Sequence, residues 1–585
     1  MRAEAKPLNF ITNEGIVKIP FFQRSYVWDE TNWEELFDDL SSEKNHFLGS
    51  LIFKQQNPIT GQPKEVLLID GQQRLTTLSI LLKAIYNNFN ETLKNNVKLT
   101  LFNYLFFKKN VMSVEFEPKI KHSKNDSPSF EKILMEDDPA VFLINTNSNK
   151  ILNCYKYFDQ RIKKLLETDA TQAQLSRLFS KIIDYSYKLF VVIDLEVNDD
   201  EQEIFDTINS SGVRLSSADI IKNAIFQRAI SVNNNQDEIS ALFHESWERI
   251  FQPDTDIEKE WLTQRNTGRI KRDNIEILLH SFAVIKGFFD PSQNKLANLS
   301  SLYKKYIQEF DFAGIQNLLN EISAYANIFY ENIISETDFY SYANQIHRTL
   351  HIIEELELTT FYPLILYILK ENVHQNDNLY ALEKYIIRRA IANKTPKNYN
   401  KEVTDFINDL DSLHIKANTD TTNEEVASGL TNISNSKAAL LLFWLELHRR
   451  SVDAHFGIKE LKYNYTLEHI LPKKWTDHWN NIPVYDENNA IVADTERAFK
   501  VRNILLNSIG NMTLLTSKLN TAISNSEFSI KLNGNQRRKG IKHYTDLSLT
   551  KEIYQLPNGL ERTNWDERDI RARNQYLYNE IVQIW

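Results

Sequence analysis

Cysteine is almost absent from this sequence of 585 residues, because Cys154 is the only one. A single thiol cannot form a disulfide within the chain, and it cannot supply the several thiolates of a structural zinc cluster. Disulfide-stapled domains and zinc fingers are therefore excluded. A reducing cytoplasm is the compartment that we expect for this protein.

Glycine is scarce as well, with 14 residues, of which the closest two are Gly534 and Gly540. The phosphate-binding motifs GxGxxG and GxxxxGK[ST] and the GxSxG turn of serine hydrolases all need glycines closer together than this. The zinc-protease motif HExxH is also missing. Any nucleotide site must therefore be built from other residue types.

Long hydrophobic runs are missing too, since the apolar stretch at 438–445 is far too short to span a bilayer. The first ten residues have no apolar signal-peptide core, so we expect no secretion signal and no membrane partner. Hydrophobic residues make up 42% and charged residues 25%, which is typical of globular proteins. The length predicts roughly two to four domains.

The net charge of -10 at first argues against a nucleic-acid partner, but it is unevenly distributed. From His455 to Trp585 there are 18 Lys and Arg residues against 15 Asp and Glu residues, a net charge of +3. The remainder of the chain then carries -13. The run KLNGNQRRKGIKH at 531–543 contains no acidic residue. Such a run is usually a solvated surface, yet here it could also follow a phosphate backbone.

Two segments near the C-terminus carry the clearest chemistry. The first is YTLEHILPKKW, with Glu468 and His469 before Pro472, and the second is NSIGNMTLLTSKLN, with Asn511 and Asn520. Short apolar runs and the turn signals between them predict the order strand, loop, strand, helix. A lone Glu-His pair is more often a surface or capping pair, so Glu468 and His469 gain meaning only beside the second segment.

These residue types suit the cleavage of a phosphodiester with one divalent metal ion. The reaction needs a water that has lost a proton and a cation beside the leaving oxygen. His469 can act as the base, while the carboxylate of Glu468 and the amide oxygen of Asn520 are hard ligands of the kind that Mg²⁺ prefers. Asn511 is better suited to hold the loop carrying His469. Because neighbours on a regular strand point to opposite faces, we expect the strand to bend at Glu468 and His469, helped by Pro472.

A polar turn, DGQQR, follows a buried strand nearer the N-terminus. Strands are predicted at 16–20, 47–53 and 66–69, and the turn at 70–74 then opens a long amphipathic helix. Backbone N–H groups, amides and a guanidinium at a helix N-terminus would receive a phosphate well. Asp70 would hold a phosphate-bound Mg²⁺, or it would merely cap the helix. A polar turn after a strand usually has only a structural role.

Two further segments could belong to the same site. Gln23 and Arg24 lie among aromatic residues in FFQRSYVW, which could receive a base or a phosphate or could equally form a packed turn. After a predicted buried strand at 189–195, the segment FDTINSSG contains Asn209, and Ser216 with Asp219 is placed to cap the next helix.

The remaining regions are less informative. Residues 231–435 show helical periodicity with few candidate functional residues, so we predict an all-helical scaffold there. Pro363 should divide the helical pattern at 352–369. A segment of looser composition at about 90–150 is predicted to be an inserted loop. The domain boundaries that follow are 1–230, 231–435 and 436–585.

The C-terminal segments resemble the HNH (His-Me finger) nuclease domain of GmrSD-type, type IV restriction endonucleases, which usually reads LEHI-P, then GN-TLL, then a helix with Asn. The stretches IPFFQRSYVW, FLGSLIF and LLIDGQQRLTTL resemble the N-terminal domain of the same family, which has a ParB/sulfiredoxin-like fold. The resemblance implies an α+β multidomain chain. In it, the ParB/sulfiredoxin-like domain precedes the all-helical middle, and a ββα-metal HNH domain follows within a helical surround.

The resemblance also implies site residues. In the HNH domain His469 is the general base, Asn511 organises the catalytic loop, and Glu468 and Asn520 hold Mg²⁺ or another divalent cation. In the N-terminal domain a nucleoside triphosphate, such as GTP or ATP, is implied. Its implied contacts are Asp70, Gly71, Gln72, Gln73, Arg74, Gln23, Arg24, Asn209 and Lys222.

From the family we expect a nucleotide-regulated, metal-dependent DNA endonuclease with NTPase activity, which cuts or nicks modified foreign DNA in anti-phage defence. Two alternatives stay open: a nucleotide-switched DNA-binding protein with an inactive HNH fold, and an RNA-directed nuclease, since a His-metal site does not itself read the sugar. The presence of all four residue types at Glu468, His469, Asn511 and Asn520 argues against the first alternative. A homo-oligomer also stays open.

Overall fold

The computed structural model describes residues 2–585 except 43–46, 57–62, 109–114, 123–125, 143–148, 168–171, 197–215, 234, 268–269, 336, 373, 537 and 557. The chain divides into two compact units. The first comprises Met1–Phe243 with Phe310–Phe312, and the second comprises His244–Glu309 with Ala313–Trp585. Among the described residues, no helix is both long enough and apolar enough to cross a membrane.

A mixed β-sheet with helices packed around it forms the first unit. In the described residues the order of its strands is Arg2–Lys6, Phe190–Leu195, Ser50–Gln55, Glu65–Asp70, Ile16–Lys18 and Ile120–Lys121. A separate antiparallel pair joins Phe106–Lys108 to Phe116–Pro118. The helices are Glu30–Ser41, Gln72–Asn87, Glu91–Leu105, Ser127–Met135, Lys150–Glu167, Gln172–Ile183, Ser217–Val232 and Gln236–Phe243. The strands that the sequence predicts in this unit are confirmed with small changes of boundary.

The helix Gln72–Asn87 is central to the first unit. It packs against Glu91–Leu105, Ser127–Met135 and Lys150–Glu167, and every residue from Leu75 to Ile85 is buried. Burial on all sides stabilises it through apolar area removed from water rather than through helix propensity. Because its N-terminus follows directly from the strand Glu65–Asp70, the DGQQR turn is fixed between a sheet and a buried helix.

The prediction of a loop at about 90–150 is wrong for the described part of that segment. It contains two helices, and its strand Ile120–Lys121 extends the sheet by pairing with Ile16–Lys18. Lys119 is buried and donates hydrogen bonds to the carbonyls of Ile11 (3.0 Å) and Asn103 (2.8 Å). The polar composition misleads because this lysine is used inside the fold, where it satisfies backbone carbonyls.

Helices dominate the second unit. They are Arg249–Phe251, Thr255–Trp261, Asn274–Ile285, Leu299–Ile307, Phe312–Phe329, Gln345–Glu355, Tyr362–Glu371, Gln375–Ile391, Tyr399–Asn408, Leu410–Thr419, Asn423–Thr431, Asn435–Val452, Thr495–Leu505, Ser517–Ile523, Phe528–Asn533, Ser548–Tyr554 and Glu567–Ile584. Short antiparallel strand pairs lie among them. These pairs are Gln264–Thr267 with Ile270–Asp273, Tyr340–Ser341 with Glu460–Leu461, Tyr465–His469 with Met512–Thr516, and Gly534–Asn535 with Arg538–Lys539.

The middle of the chain confirms one prediction and corrects another. Pro363 lies in the first turn of Tyr362–Glu371, so the helical pattern is divided where the proline predicts. The prediction of an all-helical segment is wrong, since Gln264–Thr267 and Ile270–Asp273 are paired strands. These strands lack the alternation of apolar and polar residues that predicts a strand, because arginine occupies a buried position. Arg272 is buried and donates a hydrogen bond to the hydroxyl of Thr267 at 2.9 Å.

The strand pair Tyr465–His469 with Met512–Thr516, called here the EH strand pair, belongs to the second unit; its first strand is mostly half-buried and its second strand is mostly buried. It contacts Asn435–Val452 and Ser517–Ile523. The C-terminal helix Glu567–Ile584 packs on the turn that precedes Met512. These elements hold the end of the strand that carries Glu468 and His469.

Candidate functional site

The two strands and the helix that follows them occur in the predicted order, but the predicted loop between the strands is wrong, because that segment contains the helix Thr495–Leu505. Glu468 lies opposite Thr513 and His469 lies opposite Met512, with a regular register throughout. The expected bend at Glu468 and His469 is therefore absent. Backbone bonding continues past His469, because the N–H of Ile470 donates to the carbonyl of Asn511 at 2.9 Å. The two side chains accordingly point to opposite faces of the strand.

Asn520 lies on the helix Ser517–Ile523 and is tied to the same strand. Its Nδ2 donates to the carbonyl of Leu467 at 2.9 Å and to the hydroxyl of Thr466 at 3.0 Å. Thr466 and Glu468 share one face of the strand because they are two residues apart. With its N–H groups used in this way, Asn520 has its amide oxygen left to act as an acceptor or a ligand.

Glu468 is paired with a lysine that is distant in sequence. Lys531, on the helix Phe528–Asn533, donates to Oε1 of Glu468 and, at 2.8 Å, to the carbonyl of His469. Lys531 is fully buried and Glu468 is 8% exposed. Burial raises the pKa of Glu468 despite the neighbouring ammonium, and burial lowers the pKa of Lys531 despite the carboxylate. Each group is thus needed to compensate the charge of the other.

His469 is half-buried, and its Nε2 atom has no hydrogen-bond partner among the described residues. Burial, with smaller contributions from Lys473 and Lys531, lowers the pKa of His469 to about 4. The imidazole is therefore neutral near pH 7 and can accept a proton. An unpaired buried nitrogen is uncommon in proteins and indicates a functional group or an absent partner.

Asn511 uses its whole side chain to hold the loop after His469. Its Oδ1 accepts from the N–H of Leu471 at 2.8 Å and from the indole of Trp565 at 3.2 Å. Its Nδ2 donates to the carbonyls of Leu471 (3.0 Å) and Leu506 (3.1 Å). The side chain is fully buried. At one end of the EH strand pair, Asn511 thereby ties the backbone that follows the first strand to the backbone that precedes the second.

The C-terminal helix supports this loop from behind. Arg573 donates to the carbonyls of Gly510 at 3.0 Å and Met512 at 2.6 Å. Gly510 lies so close to this helix that a Cβ atom would come within 2.2 Å of the carbonyl oxygen of Ile570. The hydroxyl of Ser508 donates to Asn574 at 2.8 Å. A glycine is required at position 510 by this close approach.

A divalent cation at this site would have to use an unusual set of protein ligands. The described residues contain no group of three or more His, Cys, Asp or Glu side chains that could hold a metal ion. Asn520 bonds the hydroxyl of Thr466, which lies on the same face of the strand as Glu468, so a carboxylate and an amide oxygen are available on that face; Lys531 engages one of the two carboxylate oxygens. Hard cations commonly complete such a set with water and phosphate oxygens. The residues therefore fit a Mg²⁺-like ion.

In the first unit, Gly71 of the DGQQR turn has a φ of +91° and directly precedes the helix. Three glutamines hold this turn, and the strand before it, against the segment 23–28. Gln23 donates to the carbonyl of Leu68 at 3.1 Å, and Gln72 donates to the carbonyl of Arg24 at 3.0 Å. Gln73 accepts from the N–H of Val27 at 2.8 Å. The structure thus brings the two predicted segments together, and the amides of these three glutamines hold them.

Charged side chains cluster beside this turn. Arg74 lies 4.0 Å from Asp70, and Lys222 donates to Asp219 at 3.0 Å. Burial would raise the pKa of Asp219, but Lys222, Arg24 and the Ser216 hydroxyl together lower it. Burial also lowers the pKa of Arg24, while the carboxylates of Asp219 and Asp70 oppose this. Arg24 therefore links two carboxylates in a cluster with more cations than anions.

Sequence reasoning missed Lys531 as a site residue and missed the ion pair made by Asp219. Lys531 lies in a run that resembles a basic surface, and only the fold brings it to Glu468. The sequence predicts that Asp219 takes part in a helix cap, and the hydrogen bond from its N–H to Ser216 at 3.1 Å confirms this. Its carboxylate also pairs with Lys222. Asn209 lies outside the described residues.

The role of Asn511 in holding the loop can be tested by Asn511→Asp. The substitution replaces an N–H donor to two carbonyls with an oxygen in a buried position, which should cost about 3 kcal/mol of unfolding free energy. We expect a lower Tm for the second unit by differential scanning calorimetry at one scan rate. The control Asn488→Asp, at an exposed position in the same unit, should leave Tm nearly unchanged. Equal Tm values for both variants would contradict the role of Asn511.

Comparison with known proteins identifies the family. Residues 7–226 match the model of the GmrSD restriction endonuclease N-terminal domain, and residues 417–580 match that of the GmrSD restriction endonuclease C-terminal domain. An uncharacterized protein of Methanocaldococcus jannaschii, MJ0686, is 27% identical over 246 residues, which cover 36% of this chain and 39% of that protein. The alignment thus spans well under half of this relative. With both of its domains matched in order over about two thirds of the sequence, the chain belongs to a GmrSD-like family of restriction endonucleases.

Proposed function

We propose that the chain is a metal-dependent DNA endonuclease whose active site lies at the end of the EH strand pair. The main support is that adjacent residues of one strand supply a charge-compensated carboxylate and a neutral imidazole whose Nε2 has no hydrogen-bond partner in the described part of the chain, with Asn520 bonded to the same strand. Because His469 is the last residue of the strand, a phosphate bound there would meet groups from both faces. In this proposal the site has the ββα-metal HNH fold.

Each residue has a separate task in this proposal. His469 accepts the proton of the attacking water at Nε2, which its lowered pKa makes available near neutral pH. Glu468 and Asn520 would hold the divalent cation, which when bound stabilises charge on the phosphate and the leaving oxygen. Asn511 keeps the loop after His469 in place through its four hydrogen bonds. Water supplies the nucleophile, so no covalent intermediate with the protein is needed.

Basic residues beside the site would bind the phosphate backbone. Lys473 and Lys474 follow His469 closely and are exposed, and Arg538 and Lys539 are exposed on the hairpin after the helix that carries Lys531. Phosphate contacts of this kind give affinity without sequence preference and weaken steeply with salt. Restriction of modified foreign DNA in the cytoplasm is proposed from the family alone.

We also propose that the first unit is a ParB/sulfiredoxin-like domain that binds and hydrolyses a nucleoside triphosphate at the DGQQR turn. Arg24, Arg74 and Lys222 offer positive charge for phosphates, and Gly71 with the following helix N-terminus offers backbone N–H groups. Asp70 and Asp219 would balance these cations in the absence of nucleotide. Nucleotide binding at this turn would regulate cleavage by the second unit.

The general-base assignment is tested by His469→Ala. Loss of a general base typically slows a reaction by about 10²- to 10⁴-fold, so we expect plasmid nicking in Mg²⁺ or Mn²⁺ to fall at least about a hundredfold, with nucleotide turnover retained. His455→Ala, at an exposed position of the same unit, serves as the control and should nick like the wild type.

Other outcomes of this assay would favour other functions. Undiminished nicking by His469→Ala would rule out His469 as the base. A wild-type protein that binds DNA but nicks neither modified nor unmodified plasmid would favour the nucleotide-switched DNA-binding alternative. Cleavage of RNA in preference to DNA would favour the RNA-directed alternative.

The nucleotide site is tested by Arg74→Ala. Loss of a charged donor to phosphate costs about 1.5–3 kcal/mol, so the Kd for fluorescent GTP and ATP analogues should rise at least about tenfold. Arg177→Ala, on an exposed helix position in the same unit, is the matched control. If the Arg74→Ala protein, shown to be folded by circular dichroism, binds both nucleotides as tightly as the wild type, the site lies elsewhere.

A further inference from the structure

Lys531 lies at the candidate site of the second unit, but the proposed chemistry gives it no role. Its ammonium is fully buried and touches both halves of the candidate site, through Oε1 of Glu468 and through the carbonyl of His469 at 2.8 Å. It reaches them from a helix, Phe528–Asn533, that lies more than fifty residues later in the chain. One cation therefore joins the carboxylate and the backbone of adjacent site residues.

We infer that Lys531 is a positioning residue that acts as a resident cation: it compensates Glu468 when no metal is bound and opposes the binding of a divalent ion there. This inference rests on the proposed metal-dependent nuclease function. A buried carboxylate needs a partner of opposite charge, and Lys531 supplies it. The same positive charge then repels a second cation that approaches Glu468. Lys531 thus keeps the site ordered and at the same time lowers its affinity for a divalent cation.

The ammonium is not what holds its own helix in place. Phe528 and Leu532 of that helix are buried in an apolar cluster, where Phe528 stacks on Trp565 with ring centroids 6.1 Å apart. This anchoring is separate from the contacts of Lys531 with Glu468 and His469. A methionine of similar length at position 531 should therefore keep the helix packed while removing the charge.

A merely structural lysine and a resident cation differ in their effect on metal binding. Loss of a structural residue would weaken metal binding and cleavage together, because both need an ordered Glu468. Loss of a resident cation should instead tighten metal binding, since the repulsion disappears, while cleavage slows because Glu468 and His469 are less well ordered. Tighter metal binding together with slower cleavage is therefore the result that identifies a resident cation.

The experiment uses the full chain with Lys531→Met and measures Mn²⁺ binding without DNA, from the electron paramagnetic resonance signal of free Mn²⁺. Glu468→Gln, measured in parallel, subtracts binding to surface carboxylates. We expect Lys531→Met to bind Mn²⁺ at least about fivefold more tightly, which corresponds to the usual interaction energy between neighbouring groups. Its plasmid nicking rate at saturating Mn²⁺ should fall by about tenfold to a hundredfold, as for misplaced catalytic groups.

Two further variants keep the test decisive. Lys416→Met is the matched control, because Lys416 pairs at 2.9 Å with Glu402, another glutamate of the same unit with a mostly buried side chain, and it should change neither quantity. Lys531→Gln removes the charge but can still donate to the carbonyl of His469, so it should tighten Mn²⁺ binding with a smaller loss of rate. It also provides the measurement if Lys531→Met does not fold.

The outcomes separate this inference from the proposed function. If the wild type binds Mn²⁺ more tightly than Glu468→Gln and nicks DNA, while both Lys531 variants bind Mn²⁺ equally or more weakly, the resident-cation role is overturned and the nuclease function stands. If the wild type binds Mn²⁺ no better than Glu468→Gln and does not nick DNA, the proposed function falls and this inference falls with it.

Discussion

Antiparallel pairing of Tyr465–His469 with Met512–Thr516 is the interaction on which the candidate site depends. It brings together two segments that are far apart in the chain, and the helix carrying Asn520 follows directly from the second of them. Two strands of five residues are marginal by themselves. Their stability comes from burial against Asn435–Val452 and from the C-terminal helix, which holds the turn at Gly510 through Arg573. The position of the imidazole is thus set by elements from across the second unit.

Buried charges recur at both candidate sites, and each is compensated by a specific partner. Glu468 with Lys531 in the second unit and Asp219 with Lys222 in the first are ion pairs in which the lysine is almost fully buried. Such pairs add little net stability, because desolvation offsets their attraction. They do make the arrangement specific, since removal of one partner leaves an unpaired charge in a medium of low dielectric constant. In a site that receives phosphate or metal, this gives each charge a defined place before the ligand arrives.

Those parts of the fold that depend on local sequence signals could be predicted from the sequence. The strands before the DGQQR turn, the cap at Ser216 and the division at Pro363 follow from apolar runs, capping residues and proline, and all three are confirmed. Polar residues used inside the fold could not be predicted. Lys119 and Arg272 are of residue types that usually lie on the surface, yet they are buried and donate hydrogen bonds to a backbone carbonyl and to a hydroxyl group, respectively. Lys531 has the sequence context of a basic surface run, and no local signal links it to a carboxylate 63 residues earlier in the chain.

The most direct test of the central claim is the position of a metal ion in crystals soaked with Mn²⁺, located by anomalous scattering at the manganese edge. The account predicts a peak about 2.2 Å from a carboxylate oxygen of Glu468 and from the amide oxygen of Asn520, with water or phosphate as the remaining ligands. A strongest peak that touches neither residue would contradict it.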